Sequence, residues 1–498
     1  MESKLAALFL LLAFSSCSAK DQEENPEFWR SQARVTLQSG LDRKLNTNVP
    51  KNILFFLGDG MGITTYTAAR ILKGQLQNQT GEETVMTMDT FPNSVGIVTA
   101  TRVQHATPAI SYAHSASRKW YSEGDMPEAA KKDGCTDIAS QMLKNTDIDV
   151  IIGGGRKYMT PRGTKDPEYP ADFSSRGKRK DGRNLIDEWQ KMKIGKVARY
   201  VWNQTDFSAV DPETTDYLMA LFEPGELRFE VERDPKMDPS IVETTEKAIC
   251  ILQKNPKGFF LLVEAHNLLT NVNFTIQERR EVQEICPPYV YRGHIDQAHY
   301  AGRASMALHE AVALDYAIAK GLELTNEEET LTVVMADHSH PFTFNGYPFR
   351  GQSILGKSPL WAQDMLPYTT LMYGNGPGHK LTNGKRPDLR NVHTKTKDYV
   401  QMAAVPTDSA THSGEDLAVL ARGPMAHLFQ GVQEQNYIAH AMAYAACVGA
   451  DLRHCQTQTE APALQTTFTD AGNSAGGIQG FTMHSSLLSA LMVVLVLM

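Results

Sequence analysis

Apolar runs and amphipathic stretches alternate along most of this chain of 498 residues. The run "ILFFL" at 53–57 is apolar on both faces, which is typical of a strand buried inside a parallel sheet. Similar runs recur in "TLTVVMA" and "YTTLMYG", and the stretches 242–254 and 301–321 carry apolar residues at helical spacing. Strands alternating with helices predict an α/β fold, with a large, mainly parallel central sheet and helices on both faces.

Side chains that can bind metals end or follow several of these runs. Asp59 follows the first run in "NILFFLGDGMG", Glu264 ends "GFFLLVE", and Asp337 and His338 follow "TLTVVMA". Gly-Asp-Gly is also ordinary turn chemistry, and Asp59 could instead cap the helix predicted after it. Open α/β sheets bind ligands where the carboxyl ends of parallel strands meet. Several such strand ends together therefore favour a binding site.

The candidate ligands supply oxygen and nitrogen atoms without any cysteine. This mixture suits Zn²⁺ together with a harder ion such as Mg²⁺. Two metal ions held close together can stabilise the attacking and leaving oxygens of a phosphoryl transfer. The candidate ligands are Asp59, Glu264, Asp296, Asp337, His338 and His412.

The charge balance argues against a nucleic-acid partner. The formal net charge is −8, and no basic stripe runs along the chain. The densest basic run, at 176–183, is interpreted as a solvated loop.

Both ends of the chain carry targeting patterns. Residues 1–19 combine a lysine, an apolar core and small residues before a cleavage point, as in a secretory signal peptide. The apolar tail at 487–498 is too short to span a bilayer and follows small residues and a polar spacer, as in a GPI-anchor signal. A buried C-terminal helix is the alternative. We expect attachment at Asn473, with Asp470 as second choice, and removal of 474–498.

The folded part is then expected to cover 20–455, followed by a small-residue linker at 456–473. The secretory route predicts a location on the extracellular face of the plasma membrane, where the GPI anchor enters the lipid bilayer. In that compartment, the Asn-x-Thr sequences at Asn78, Asn203 and Asn273 are candidate glycosylation sites.

The six cysteines are expected to form at least one disulfide. Cys17 leaves with the signal peptide, and Cys447 and Cys455 lie close together near the end of the folded part, so we expect them to pair. Cys135, Cys250 and Cys286 make an odd remainder. Either one thiol is free or a partner is missing from the chain.

Over residues 25–455, the chain resembles the vertebrate alkaline phosphatases. The resemblance rests on several motifs and favours the intestinal or placental-type branch. The motifs are "FLGDGMG", "TATRVQHATPAISYAHSASRKWY", "IIGGGRKYM", "LFEPGELRFE", "ADHSH", "YGNGPG", "THSGEDLAVLARGP" and "GVQEQNYIAHAMAYAAC".

The resemblance implies a GPI-anchored homodimer that hydrolyses phosphate monoesters through a phosphoserine, with two Zn²⁺ and one Mg²⁺ in each site. Carried over by motif, the ligands are Asp296 and His412 for the first zinc; Asp59, Asp337 and His338 for the second; and Asp59, Thr107 and Glu264 for magnesium, with His105 outside them. Arg118 would bind the phosphate with both arms of its guanidinium. A structural Ca²⁺ would be held by Glu168, the carbonyl of Phe222, Glu223 and Asp238.

The chain departs from the family pattern at the nucleophile. Relatives carry several dozen residues between "MDTFP" and "SVGIVT", including the nucleophilic serine and the cysteine partner of the one matching Cys135. Here Pro92 and Asn93 run directly into Ser94, which begins the next predicted strand. We therefore expect no phosphoserine to form.

Two further departures lie around Asp296. An insertion at 265–292, read as a surface loop or translated non-coding sequence, separates it from Glu264. In "HIDQAHY", Tyr300 replaces the histidine that binds the first zinc, and the neighbouring His299 should face elsewhere on the helix. A phenol with a pKa of about 10 is a poor zinc ligand at neutral pH, so we expect a weakened first zinc site.

Three hypotheses for the function follow. The first is an alkaline phosphatase. The second is a catalytically dead, membrane-anchored relative, or a defective splice or gene-model product that lacks the nucleophile. A sulfatase or phosphodiesterase of the same superfamily is the third, but the Cys-x-Pro-x-Arg motif it would need is absent from the chain.

Overall fold

The computed structural model describes residues 25–41, 45–77, 97–145, 147–265, 294–448 and 452–456. The chain divides into two compact units, one up to Asn46 and one from Thr47 onward. In the first unit, helix α1 spans Pro26–Leu41. Within the described residues, no helix combines the length and apolar character needed to cross a membrane.

The second unit alternates strands and helices, as the sequence pattern predicts. Its strands are β1 Asn52–Gly58, β2 Ile97–Arg102, β3 Val150–Gly154, β4 Ala198–Val201, β5 Tyr217–Leu221, β6 Phe260–Ala265, β7 Thr330–Met335, β8 Phe342–Phe344, β9 Leu371–Gly376, β10 Ala403–Pro406 and β11 Leu420–Arg422. Its helices are α2 Ile63–Leu76, α3 Ala106–Ile110, α4 Glu128–Lys132, α5 Ile138–Asn145, α6 Leu185–Met192, α7 Gln204–Ser208, α8 Ile241–Leu252, α9 His294–Tyr300, α10 Ala304–Leu324 and α11 Gln435–Ala445.

Eight strands form the central sheet in the order β11-β7-β1-β6-β2-β3-β5-β4. Every neighbouring pair in it is parallel except β11 with β7. Strand β1 is buried along its whole length between β7 and β6. The predicted α/β class with a mainly parallel sheet is therefore confirmed.

Helices cover both faces of this sheet. Along β3, Val150 and Ile152 pack into the larger apolar cluster, whereas Ile151 packs into a second one. The larger cluster includes residues of α8 and α10, and the second includes residues of α5 and α6. Since successive side chains of a strand point to opposite faces, the two clusters are the two buried faces.

The structure differs from the sequence reading in two places. The run "YTTLMYG" forms β9, but β9 lies between β10 and β8 in a separate three-stranded sheet, not in the central one. Strands β4 and β5 were not singled out from the sequence, because four or five residues are too few to show a clear period.

Cys447 and Cys455 form the predicted disulfide. Cys135 is a free, exposed thiol, and Cys250 is a free thiol of intermediate burial. Several other sequence-based expectations lie outside the described residues. They concern residues 1–19, Asn78, Ser94, 266–292, Asn273, Cys286, and the tail from 457 onward with Asn473.

Candidate active site

The carboxyl ends of three neighbouring strands bring acidic residues together. Leu57 of β1 pairs with Glu264 of β6 on one side and with Met335 of β7 on the other. Asp59 and Asp337 each lie two residues beyond this paired level, so both emerge at the same edge of the sheet as Glu264. The convergence expected from the sequence is present in the structure.

Glycines allow other segments to approach the end of β1. Gly60 has a φ of +75°, and a Cβ there would lie 2.8 Å from the Cα of Asp296. A Cβ on Gly62 would overlap the side chain of Ser339. The N-cap of α2 is Gly62, without a side-chain capping hydrogen bond, so Asp59 does not serve as the helix cap that the sequence left open.

Two other segments complete the cluster. Asp296 lies in the first turn of α9, whose Ile295 and Ala298 are fully buried. Ser413 donates its backbone N–H to the carbonyl of Ser339 at 2.9 Å, and this bridge brings the neighbouring His412 to the loop after β7. His412 therefore reaches the site through a loop contact, not from a strand end.

The metal-binding atoms form two overlapping groups around His338. In one, Nε2 of His338 lies 3.1 Å from Oδ1 of Asp59 and 3.6 Å from Oδ2 of Asp337. In the other, it lies 3.6 Å from Oδ1 of Asp296, which is 3.2 Å from Nε2 of His412. The imidazole rings of His338 and His412 stack with centroids 3.3 Å apart.

Sequence reasoning missed His340. This fully buried histidine lies 2.6 Å from Oδ1 of Asp296 through Nε2 and belongs to the second donor group. Its position in "ADHSH" at a strand end was the available signal. The contact with Asp296, which comes from a distant helix, could not be read from that position.

Glu264 is fully buried beside two threonines. Its Oε2 accepts a hydrogen bond from Thr99 at 2.8 Å, and the Thr107 hydroxyl lies close enough to lower its pKa. Thr107 is in α3, whose N-cap is the buried His105. Nη2 of Arg118 lies 3.5 Å from Nε2 of His105. These contacts link Arg118 to the magnesium ligands expected from the resemblance.

The electrostatics of the cluster favour a bound cation. Burial, followed by the charge of Asp59, raises the pKa of Glu264 to about 8 and that of Asp337 to about 7. Burial alone would lower the pKa of His338, but its hydrogen bond to Asp59 and the nearby carboxylates raise it to about 9. Several carboxylates thus oppose one another's ionisation in a poorly solvated place, and a positive ion would relieve that repulsion.

Two buried carboxylate oxygens support this conclusion. Oδ2 of Asp296 and Oε1 of Glu264 have no hydrogen-bond partner among the described residues. Leaving such an atom unpaired costs on the order of 1–3 kcal/mol, and more when it is charged. Carboxylate and imidazole donors without cysteine suit zinc and magnesium, so the residues present fit divalent ions around Asp59, Glu264 and His338.

At the position expected for the first zinc, a tyrosine replaces the histidine that the resemblance predicts. The phenol oxygen of Tyr300 is hydrogen-bonded to Nε2 of His412. His299 faces away, as expected from the helix: its nitrogens lie 2.8 Å from Oγ1 of Thr65 and 2.7 Å from the phenol oxygen of Tyr373. Burial lowers the pKa of His299 well below its usual value.

The residues expected to bind calcium also converge. The phenol of Tyr169 donates toward Oε1 of Glu168 at 2.7 Å and toward Oε1 of Glu223 at 2.9 Å. Both carboxylate oxygens of the buried Asp238 lack a partner within the described part of the chain. The carbonyl of Phe222 accepts a hydrogen bond from Arg156, so this fourth expected ligand has a protein partner.

Comparison with known proteins gives matches along most of the chain. A family model described as alkaline phosphatase matches residues 50–94, 92–270 and 289–448. The tissue-nonspecific alkaline phosphatase isozyme of Rattus norvegicus is 45% identical over 520 residues, covering 90% of this chain and 94% of that protein. An alkaline phosphatase of Gadus morhua is 43% identical over 497 residues, covering 86% of this chain and 98% of that protein.

A solved structure of a cold-active alkaline phosphatase from Shewanella sp. is 19% identical, with a TM-score of 0.48, over 80% of this chain and 100% of that one. The family model and the two sequence relatives each cover well over half of the chain. The chain belongs to the alkaline phosphatase family.

Proposed function

We propose that this chain provides a phosphate monoester hydrolase centre of the alkaline phosphatase type, without the serine that forms the covalent intermediate. The observation that carries the proposal is the convergence of Asp59, Asp337 and His338 with Asp296 and His412 at one sheet edge. Carboxylates and imidazoles in this arrangement suit a two-metal phosphoryl-transfer site.

In this proposal, the second zinc and magnesium share Asp59, and their other ligands are separate. Asp59, Asp337 and His338 hold the second zinc, and Asp59, Thr107 and Glu264 hold magnesium, with His105 behind them. Asp296 and His412 remain at the position of the first zinc. When bound, the ions supply positive charge that stabilises the attacking and leaving oxygens of the phosphoryl group.

Arg118 is the proposed phosphate-binding residue. A guanidinium matches two phosphate oxygens with two parallel N–H donors. Nε of Arg118 is buried and has no hydrogen-bond partner among the described residues. Nη2 lies beside Nε2 of His105 at 3.5 Å, which orients the group. A phosphate oxygen would satisfy the donor that is otherwise left unpaired.

The missing nucleophile remains a proposal with two supporting observations. The family match divides into two segments that overlap at residues 92–94, where we propose that the segment is missing, and it breaks again between 270 and 289, around the insertion. The alignment with the rat isozyme runs over 520 residues although it covers only 90% of a 498-residue chain. That relative therefore has residues without a counterpart here.

Without the serine, water would have to attack the bound ester directly. A positioned nucleophile contributes several kcal/mol to catalysis, so we expect slow turnover at best. The alternative is a catalytically dead relative or a defective splice or gene-model product, which would bind phosphate through Arg118 without hydrolysing esters. Sequencing the genomic DNA between the codons for Pro92 and Ser94 would distinguish a gene-model error from a true deletion.

The chemical test uses purified full-length chain loaded with zinc and magnesium. A labelled phosphate monoester is added at mildly acidic pH to trap covalent phosphate, and turnover is followed at alkaline pH. We expect chelator-sensitive turnover without serine-bound phosphate. Stoichiometric phosphoserine would show that a nucleophile was missed. Phosphate binding without turnover would support the dead relative.

Matched arginine variants make the binding measurement specific. Arg118→Ala should weaken inorganic phosphate binding at least about 10-fold, since each factor of ten corresponds to about 1.4 kcal/mol and a charge-assisted bidentate contact exceeds this. Arg162→Ala removes the same charge from an exposed position and should leave phosphate binding unchanged. Equal binding by both variants would exclude Arg118 as the phosphate ligand.

The calcium site is proposed on Glu168, Glu223, Asp238 and the carbonyl of Phe222. Burial, followed by the charge of Glu168, raises the pKa of Glu223 to about 7. Burial and the charge of Glu223 raise the pKa of Asp238 to about 7. Carboxylates that oppose one another's ionisation in this way are suited to a divalent ion with oxygen ligands.

Secretion, GPI anchoring at Asn473, homodimer formation and the intestinal or placental-type branch are also proposals. The rat isozyme compared above is tissue-nonspecific, at 45% identity. For the anchor, phosphatidylinositol-specific phospholipase should release the protein from cells expressing it. Protein that stays on the cells with its tail intact would exclude a GPI anchor.

Of the three candidate glycosylation sites, Asn203 lies within the described residues. Asn203 is the N-cap of α7, and its Nδ2 donates to Oδ2 of Asp206 at 2.7 Å. A glycan attached to Nδ2 would have to share that contact. Mass spectrometry of the secreted protein, beside an Asn203→Gln variant, would detect whether the site is used.

A further inference from the structure

A phenol oxygen occupies the position where the family resemblance predicts a zinc-binding histidine. Asp296 and Tyr300 lie four residues apart in α9, so their side chains leave the same side of the helix. The Tyr300 phenol is hydrogen-bonded to Nε2 of His412, and that nitrogen lies 3.2 Å from Oδ1 of Asp296. A carboxylate, a phenol and an imidazole thus meet at one point.

The tyrosine is held in place by its neighbours. Its ring packs edge-on against the ring of His340 with centroids 5.1 Å apart, and lies 5.4 Å from the ring of His412. Its backbone carbonyl accepts the N–H of Ala410 at 3.0 Å. These contacts direct the phenol oxygen into the site and restrict its movement away from His412.

Asp296 is prepared to bind an ion with one oxygen. Nε2 of His340 lies 2.6 Å from Oδ1, while Oδ2 has no hydrogen-bond partner among the described residues. Asp296 is fully buried. One oxygen is therefore fixed by a histidine, and the other remains available inside a poorly solvated site, which is how outer partners orient a carboxylate ligand.

This donor set differs from those that select zinc. Zinc sites use imidazole and thiolate most readily, and a neutral phenol is a weak ligand for them. A phenolate is instead a hard, anionic oxygen, as in tyrosine-ligated iron centres. The carboxylates of Asp59 and Asp337 lie around His338, next to this position, and add negative charge that favours a more highly charged ion.

We propose that Asp296, Tyr300 and His412 bind a trivalent, oxygen-preferring cation, represented by Fe³⁺, at the position where the resemblance predicts the first zinc. The inference rests on the proposed function only for the identity of the neighbouring metal positions. On binding, the phenol O–H bond would break and its proton would go to solvent, while the Tyr300 oxygen would replace a water or chelator ligand of the iron. The iron enters as Fe³⁺ and leaves as Fe³⁺, so no electron is transferred.

The test uses full-length chain freed of metals by dialysis against a chelator. It is titrated with Fe³⁺ as its nitrilotriacetate complex and, separately, with zinc sulfate. Metal content and visible absorption are recorded together, because a phenolate bound to Fe³⁺ gives a charge-transfer band that zinc cannot give. We expect a visible band that saturates at one iron per chain.

Three variants assign the band. Tyr300→Phe should abolish it and weaken iron binding by more than the roughly 10-fold that loss of an outer-shell partner already costs. Tyr300→His should also abolish the band and raise zinc content relative to the parent. Tyr347→Phe removes a tyrosine that is 94% exposed and should leave both the band and the iron content unchanged.

The outcomes separate this inference from the proposed function. Iron bound without a visible band, a band that survives in Tyr300→Phe, or full zinc occupancy in preference to iron would each overturn it. Circular dichroism of each metal-free variant checks folding, and the Tyr300→His variant provides a second reading if Tyr300→Phe does not fold. Turnover of phosphate monoester is measured separately: a band without turnover contradicts the function, and turnover without a band contradicts the iron site.

Discussion

A buried ion pair joins the two helices that flank the candidate site. Helix α2 begins directly after the glycine loop that follows Asp59, and α10 follows the helix that carries Asp296. Nζ of Lys73 in α2 lies 2.5 Å from Oδ2 of Asp315 in α10, and their side chains are 11% and 0% exposed. We therefore expect the pair to stabilise the fold and to help align the metal ligands.

Replacing Lys73 with methionine should destabilise the protein strongly. Methionine retains the apolar stem but removes the ion pair between Lys73 and the fully buried carboxylate of Asp315, and breaking a buried pair costs about 3–5 kcal/mol. At about 2.1 cal/mol/K per residue, a chain of this size has an unfolding entropy near 1 kcal/mol/K, so the midpoint should fall by roughly 3–5 °C. Removing both charges in a Lys73→Met, Asp315→Leu double variant should cost much less.

Thermal denaturation of the parent, both single variants and the double variant measures these effects in one cycle. Lys320→Met is the matched control, because Lys320 pairs with Glu323 on the surface of the same helix at 2.7 Å and 65% of the Glu323 side chain is exposed. That variant should change stability by no more than about 1 kcal/mol. If Lys73→Met costs under about 1 kcal/mol, or if the double variant is as unstable as the sum of its single changes, the buried-pair reasoning is wrong.

Two further predictions concern the metal sites. Gly62→Ala should lower the free energy of unfolding by about 1–3 kcal/mol and reduce zinc content, because the added methyl would overlap Ser339 although the backbone conformation allows alanine. Thermal denaturation and metal analysis measure both effects. The control is Gly414→Ala, since nothing lies within 4 Å of a Cβ at that position. In calcium-free protein, the raised pKa values of Glu223 and Asp238 mean that their contribution to stability is greatest at acidic pH and is lost as pH rises through about 7. Added calcium should therefore raise the melting temperature more at pH 8 than at pH 5, and an equal rise at both would contradict the proposed site.

The sequence predicted the parts of the site that depend on local pattern. Asp59, Glu264 and Asp337 end or follow buried strands, and the rule that parallel strands share a carboxyl edge is enough to bring them together. The spacing of four residues in "HIDQAHY" likewise predicted that Asp296 and Tyr300 share a helix face while His299 does not. In each case, one period of secondary structure decides where the side chain lies.

The parts that were missed depend on tertiary contacts. His340 follows the same strand as Asp337, but its role comes from meeting Asp296, which arrives from a helix more than forty positions earlier in the chain. Strand β9 has the apolar pattern of a central strand, yet it pairs with β8 and β10. An apolar run predicts that a strand is buried, but it does not predict with which strand it pairs.

The position of Tyr300 shows why the resemblance alone does not determine the chemistry of this chain. The side chains around Tyr300 are fixed by their own contacts: Asp296 is buried, His340 contacts one of its oxygens, and His412 is brought in by the bridge to Ser339. The atom that reaches the site from position 300 therefore depends on which side chain stands there. With histidine that atom would be a zinc-binding nitrogen, and with tyrosine it is an oxygen that competes for His412 through a hydrogen bond. We therefore expect the same geometry to select a different ion, so that the metal content of the purified chain should change when Tyr300 is replaced by histidine.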